Sequence, residues 1–429
     1  MAFEVLRRVE EGAFASVLLA SATRDMHGED RGLCYELVLG VLRWQLWLDR
    51  LAEHYAGRKA ETLDEPVRRA LRLGLYQLRF LTRIPAPAAV NEAVNLAYEA
   101  RLRSAAAFIN AVLRRATREP DYDPAAEIPD PIERVAVATS HPAWLIKRWV
   151  TAFGAGEAEA MARTNNHTPP VAFRVNELRA ESRSVMEKLR EAGMRAEASR
   201  LAPCGWRVEG ASDTSLREAV QEGLIYIQDE ASQLVGHIVG AQAGERILDV
   251  CAAPGSKTTQ IAALAGDRAL VVAGDLYEHR LRMVRESAAR QGLKSIRVVA
   301  HDMEAALPFA DGSFDRVLVD APCTGTGTLR RNPEIRWRIT GSDIIELAAR
   351  QRRILLNAAR AVCHGGRLVY STCSVEREEN EEVTAAFQAA RGDFAALARV
   401  PFLDASGTAR TWPHHDGTDG FFIAAFERQ

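Results

Sequence analysis

Metal-ligand spacing is missing from this chain. No Cys-x-x-Cys pair and no histidine-rich spacing suggests zinc. No apolar run approaches the roughly 20 residues that a membrane-spanning helix needs, and the start carries no signal-like pattern. The six cysteines, Cys34, Cys204, Cys251, Cys323, Cys363 and Cys373, are scattered, and read as reduced thiols of a cytoplasmic protein. Tandem repeats and low-complexity tracts are absent. A formal net charge of −2 excludes a molecule-wide polycation. Lysine is scarce: five stand among 55 basic residues, so arginine carries nearly all the positive charge. That excess reads either as genomic codon bias or as phosphate recognition by the planar guanidinium. What is present is an ordinary globular balance, 47% hydrophobic and 26% charged over 429 residues, enough for two or three domains.

Residues 1–135 read as all-helical. Cys34, Leu37, Val38, Val41 and Leu42 share one helix face, and Val67, Ala70, Leu71, Leu75 and Leu78 share another behind the start signals Asp64 and Pro66. Further helices are expected over about 88–99 and 104–117, the second ending in Arg114, Arg115 and Arg118, possible RNA contacts on a block with no catalytic cluster. Residues 136–225 read as a linker and a small α+β module, with strands at Val171–Val175 and Gly205–Val208 around an amphipathic helix from Ser182. Residues 226–429 alternate strand and helix, with strands at Arg246–Val250, Ala269–Ala273, Ile296–Ala300, Phe314–Val319 and Arg367–Tyr370. That alternation predicts an α/β Rossmann-like doubly wound parallel sheet.

The first of these strands leads into Cys251-Ala252-Ala253-Pro254-Gly255-Ser256-Lys257-Thr258. A strand, a small-residue turn and a helix start make a socket of backbone N–H groups. Its single glycine fits neither the phosphate-cradling G-x-x-x-x-G-K-[ST] pattern nor the dinucleotide fingerprint G-x-G-x-x-G. Acids follow the next three strands: Asp275, Asp302 and Asp320. An acid after the second strand suits ribose hydroxyls, and one after the third suits an adenine amino group. Three carboxylates repel a polyphosphate and suit a nucleoside carrying positive charge, of which S-adenosylmethionine is one.

Cys323 follows Val317-Leu318-Val319-Asp320 and Cys373 follows Leu368-Val369-Tyr370. Parallel sheets present ligands at the carboxyl ends of their strands, so two thiols and a carboxylate are expected in one crevice. Beside a methyl donor, a thiolate that adds to C6 of a pyrimidine makes C5 a nucleophile. A second thiol can assist the final elimination. Cys34 reads as core, Cys251 as the wall of the cofactor loop, and Cys204 and Cys363 lack any such context. The basic stretch Arg330-Arg331-Asn332-Pro333-Glu334-Ile335-Arg336-Trp337-Arg338 follows the Cys323 loop and is expected to grip a nucleic-acid backbone. A base in folded RNA must be splayed out to reach the crevice.

With these residues the catalytic half resembles the Sun family of RNA cytosine-C5 methyltransferases. The matching stretches are Cys251 to Thr258, Asp320-Ala321-Pro322-Cys323-Thr324-Gly325-Thr326-Gly327, Arg331-Asn332-Pro333-Glu334 and Ser371-Thr372-Cys373-Ser374, flanked by Tyr226 to Ser232 and Asp419-Gly420-Phe421-Phe422. Leu73 to Leu78, Ala89 to Val94 and Phe108 to Arg114 resemble the NusB-like RNA-binding domain. Such fusions are typical of bacterial members acting on 16S rRNA. The resemblance implies Cys373 as nucleophile on C6 and Cys323 as the thiol assisting product release. It also implies that Cys251, Ala252, Ala253, Pro254, Gly255, Ser256, Lys257, Asp275, Asp302 and Asp320 hold S-adenosylmethionine, with Asp320 also facing the cytosine. The implied partner is 16S rRNA, naked or in a partly assembled small subunit, with no membrane and no obligate protein partner. Two alternatives stay open: the same chemistry on tRNA, and a non-catalytic RNA-binding assembly factor.

Overall fold

The computed structural model describes every residue except 210–212 and 399. By internal contacts the chain divides into two units, one of residues 1–168 and 329–338, the other of residues 169–328 and 339–429.

The first unit is helical. Glu65–Phe80 begins behind Asp64 with a proline in its first turn and buries Val67, Ala70, Leu71, Leu73 and Leu75. Gly28–Arg43 contributes Cys34, Val38, Val41 and Leu42 to the same core, joined by Ile109, Val112 and Leu113 of Arg103–Arg118. Pro131–Ala138, Ala143–Phe153 and Ala155–Thr164 also belong to this unit. Among the described residues no helix is long and apolar enough to cross a membrane.

The basic segment expected to grip RNA is instead inserted into this unit. Arg336 is fully buried. Its Nη1 donates to Ser140 O (3.1 Å) and Asn166 Oδ1 (2.9 Å), and its Nη2 to Asn165 O (3.3 Å). Trp337 Nε1 donates to Leu42 O (2.8 Å), and Arg338 Nη2 to Val9 O (2.6 Å) and Ala13 O (2.5 Å). These carbonyls lie at or just beyond the C-terminal turns of four helices. Helix ends leave carbonyls without intrahelical partners and carry partial negative charge, so guanidinium and indole donors serve them better than water would. Burial, with Arg43 nearby, lowers the Arg336 guanidinium to about 9. Arg336→Met keeps the stem but strips these acceptors of their donor. It is expected to destabilise the protein by about 3–5 kcal/mol, read as a lower Tm by calorimetry.

The second unit holds two sheets. The smaller has the order β2-β3-β1-β4, all antiparallel, from β1 (Val171–Val175), β2 (Arg195–Ala198), β3 (Gly205–Glu209) and β4 (Ile225–Ile227). The larger is built from β5 (Arg246–Asp249), β6 (Leu270–Asp275), β7 (Ile296–Ala300), β8 (Phe314–Asp320), β9 (Val362–Thr372), β10 (Phe394–Ala396), β11 (Thr408–Thr411) and β12 (Phe421–Arg428). Its order is β10-β12-β9-β8-β5-β6-β7, with β11 also on β12. The five strands read from sequence are mutually parallel, as expected. Three further strands at the C-terminal edge run antiparallel. Phe421 to Phe426 are all buried, as a strand covered on both faces requires. Side chains alternate across the sheet: Val317, Val319, Leu368 and Tyr370 meet Ile354 and Leu355 of the helix Gly341–Ala361, while Leu318 and Val369 face the helix Glu230–Val239. Strand order reverses at β5, whose neighbours are β6 and β8. Ligand crevices open at such switch points, outside the strands' carboxyl ends.

Candidate active site

Register brings the two thiols together. Parallel pairing sets Asp320 at the end of β8 beside Ser371 of β9. Cys323 lies three residues beyond the first and Cys373 two beyond the second, and their sulfurs stand 3.4 Å apart. Both are partly exposed. The hydrogen bond to Cys373, burial and the neighbouring charges push the Cys323 thiol well above its ordinary range. Gly327 N donates to Cys373 O (2.9 Å) and Gly420 N to Gly327 O (2.8 Å). A Cβ on Gly327 would lie 2.0 Å from Gly420 O, so this backbone stack tolerates only glycine.

Asp320 is fixed from both sides. Its Oδ1 accepts from Ser371 Oγ (2.8 Å) and its Oδ2 from Lys257 Nζ (2.7 Å). Burial alone would lower the Lys257 ammonium, but Asp320 and Cys373 together hold it above its ordinary value. Its Nζ also sits 5.2 Å from the centre of the Phe421 ring. The site therefore holds a carboxylate with a fixed lysine partner beside two thiols.

The loop after β5 turns sharply into a helix, and the N–H groups of Ala252, Ala253 and Gly255 are bonded within the protein. Gly255 turns the backbone at φ 102°, leaving Ser256 as the first residue of the helix Ser256–Leu264. A Cβ there would meet Val284 Cα at 3.1 Å. The loop contains a cis Ala253–Pro254 bond. Ala252 N donates to Gly274 O (2.8 Å), tying the loop to β6. Thr258 Oγ1 donates to Asp249 Oδ2 (2.7 Å) beneath it; burial raises this carboxyl to about 7. Burial and the surrounding acids push the Cys251 thiol far up. Asp275, buried at the end of β6, accepts from Ala253 N (3.3 Å) and Tyr277 N (3.2 Å) and pairs with Arg280 (3.2 Å). Asp302 is exposed beyond β7 and accepts from Glu304 N (2.9 Å). Three carboxylates at the ends of three strands, with a glycine-floored loop between them, fit the cationic nucleoside expected from sequence.

Sequence reading missed two parts of the surroundings. Glu379 stands in the acidic run Glu376 to Glu382, a pattern that normally marks a solvated face, yet it is fully buried against both thiol-bearing loops. Arg174 of β1 is buried too. Its Nε donates to Gln228 Oε1 (2.9 Å), and its Nη2 to Thr259 Oγ1 (2.9 Å) and Gln291 Oε1 (3.1 Å), which fixes the smaller sheet to the cofactor-loop helix. Only the odd placement of an arginine inside an apolar strand signals this.

Comparison with known proteins agrees with this layout. Residues 237–427 match the family model described as 16S rRNA methyltransferase RsmB/F, residues 1–118 the NusB family, and residues 141–215 the RsmF/B-like ferredoxin-like domain. The chain is 35% identical, over its full length and 98% of the relative, to the probable ribosomal RNA small subunit methyltransferase B of Bacillus subtilis. It is 37% identical to the ribosomal RNA small subunit methyltransferase B of Pseudomonas putida, over 92% of this chain and 90% of that one. Among solved structures, the crystal structure of PH0851 aligns with a TM-score of 0.86 at 28% identity, over 99% of this chain and 97% of that one. A methyltransferase homolog from Pyrococcus horikoshii aligns at 0.60 and 28% identity, over 70% of this chain and all of that one.

Proposed function

This chain belongs to the 16S rRNA methyltransferase RsmB/F family, and from that membership we propose that it methylates C5 of one cytidine in 16S rRNA. The observation that carries the reading is the Cys323–Cys373 pair, 3.4 Å between sulfurs, beside an Asp320 held by Lys257. S-adenosylmethionine, held by residues 251–257, Asp275, Asp302 and Asp320, would supply an electrophilic methyl group.

Cys373 is the proposed nucleophile. Its thiolate sulfur bonds to C6, and the former C5–C6 π pair becomes available at C5 to take the methyl group. Asp320 faces the cytosine, and its position between Ser371 and Lys257 keeps it from swinging out of register. After transfer, the C5 proton leaves to a base, the double bond returns, and the C6–S bond breaks with its electron pair on Cys373. Cys323, in contact with that sulfur, assists this elimination. The helical unit and the module with the smaller sheet are the proposed RNA-binding parts, on the strength of the NusB and ferredoxin-like matches.

Bisulfite sequencing of 16S rRNA incubated with the protein and S-adenosylmethionine tests the reading. One cytosine resistant to conversion is expected. Methyl incorporation without any protected cytosine would point to another atom or base and overturn it.

A further inference from the structure

One buried carboxylate joins the two thiol-bearing loops. Glu379 Oε1 accepts from Thr324 N (2.9 Å) and Gln351 Nε2 (3.0 Å); its Oε2 accepts from the hydroxyls of Thr324 and Ser374. Thr324 directly follows Cys323, and Ser374 directly follows Cys373. A carboxylate offers about four acceptor positions, and all four here are taken by donors. Around it a second set of bonds tightens the same junction. Gln351 Nε2 also donates to Pro322 O (2.9 Å), on the other side of Cys323, and Tyr370 OH donates to Glu379 O (2.5 Å). Asn380 Nδ2 donates to Ser374 O (2.9 Å) and its Oδ1 accepts from Thr372 Oγ1 (2.5 Å), bracketing Cys373.

We propose that Glu379 is a positioning residue, which sets the separation of the two thiols by tying both of their loops to a single carboxylate. It touches neither sulfur through a hydrogen bond. The two loops also meet directly, Thr324 Oγ1 and Thr326 Oγ1 each 3.2 Å from Ser374 Oγ, and Glu379 holds the Thr324 and Ser374 hydroxyls at that junction. This rests on the reading of Cys323 and Cys373 as the working pair, and it assigns the acid that keeps them working together. Glutamine can stand in for it: its oxygen keeps the bonds from Thr324 N and Gln351, and its NH₂ donates to the hydroxyls of Thr324 and Ser374, which accept as well as donate. Alanine removes all four bonds. Aspartate is one methylene too short to reach both.

The test uses the full-length protein and two readouts. The first needs neither RNA nor methyl donor: the rate at which diamide joins Cys323 to Cys373, followed by peptide mass spectrometry. Two thiols lose two protons and two electrons, and diamide takes both. Glu379→Ala is expected to slow this joining about tenfold while leaving S-adenosylmethionine affinity unchanged, and Glu379→Gln to restore most of the rate. The second readout is the kinetic split: in Glu379→Ala kcat should fall about 10–100-fold, with KM for RNA held within about twofold, the effect of displaced reacting groups. Thr324→Val keeps the backbone bond to Glu379 and loses only a hydroxyl. It should show the same pattern at about threefold, and it carries the test should Glu379→Ala not fold. Unchanged thiol joining in a folded Glu379→Ala or Thr324→Val variant overturns the proposal, as does a rise in KM with kcat unchanged. If the wild-type protein makes no 5-methylcytosine, the functional reading fails, and the diamide rates still decide whether Glu379 sets the thiol spacing.

Discussion

Cys373→Ala is expected to lose methyl transfer by on the order of 10⁴-fold or more, while calorimetry still finds S-adenosylmethionine bound. The size follows from the chemistry. Cytosine C5 is a poor nucleophile until something adds to C6, and the Cys373 thiol, in contact with Cys323, is the group proposed to do so. Cys251, in the loop after β5, does not substitute, because burial and three acids push its thiol far up. Cofactor binding is expected to survive because Lys257 keeps its bond to Asp320 when the Cys373 side chain is shortened. A filter-binding assay with labelled methyl groups measures the first quantity, and full activity in the variant would remove covalent addition from the mechanism.

Cys323→Ala should behave in the opposite sense. Addition to C6 and transfer proceed, but elimination lacks the thiol that touches Cys373, so a protein–RNA adduct builds up. Turnover is expected to fall on the order of 10²–10³-fold, with a retarded band on a denaturing gel that disappears when Cys373 is also replaced. The contact is direct, 3.4 Å between sulfurs, and the hydrogen bond and burial that push the Cys323 thiol upward keep its proton in place during attack. An absence of adduct with native RNA would assign product release to another group.

The placement of these two thiols was legible in the sequence for a clear reason. Each follows an unbroken strand-forming run, and in a parallel sheet the carboxyl ends of neighbouring strands share one crevice. Five strands and the main helices of the helical unit were readable on the same footing, because their periodicity is local. What escaped depends on distant partners. The arginines of residues 330–338 look like an RNA grip until four helix C-termini, contributed by residues up to 329 positions away, offer them carbonyls. Glu379 looks like one acid among several in a solvated run. Its burial is decided by Thr324 and Gln351, 55 and 28 positions away. The antiparallel strands β10 and β11 are three and four residues long, too short for periodicity to declare them.

The division of labour between the thiols is best tested on RNA carrying 5-fluorocytidine at the target position. Fluorine at C5 cannot leave as a proton does, so the reaction stops with sulfur still bonded to C6. Digestion and mass spectrometry of the trapped complex then identify the residue that attacked. The nucleotide should be found on the peptide containing Cys373. Attachment at Cys323, or no covalent complex at all, would contradict the mechanism.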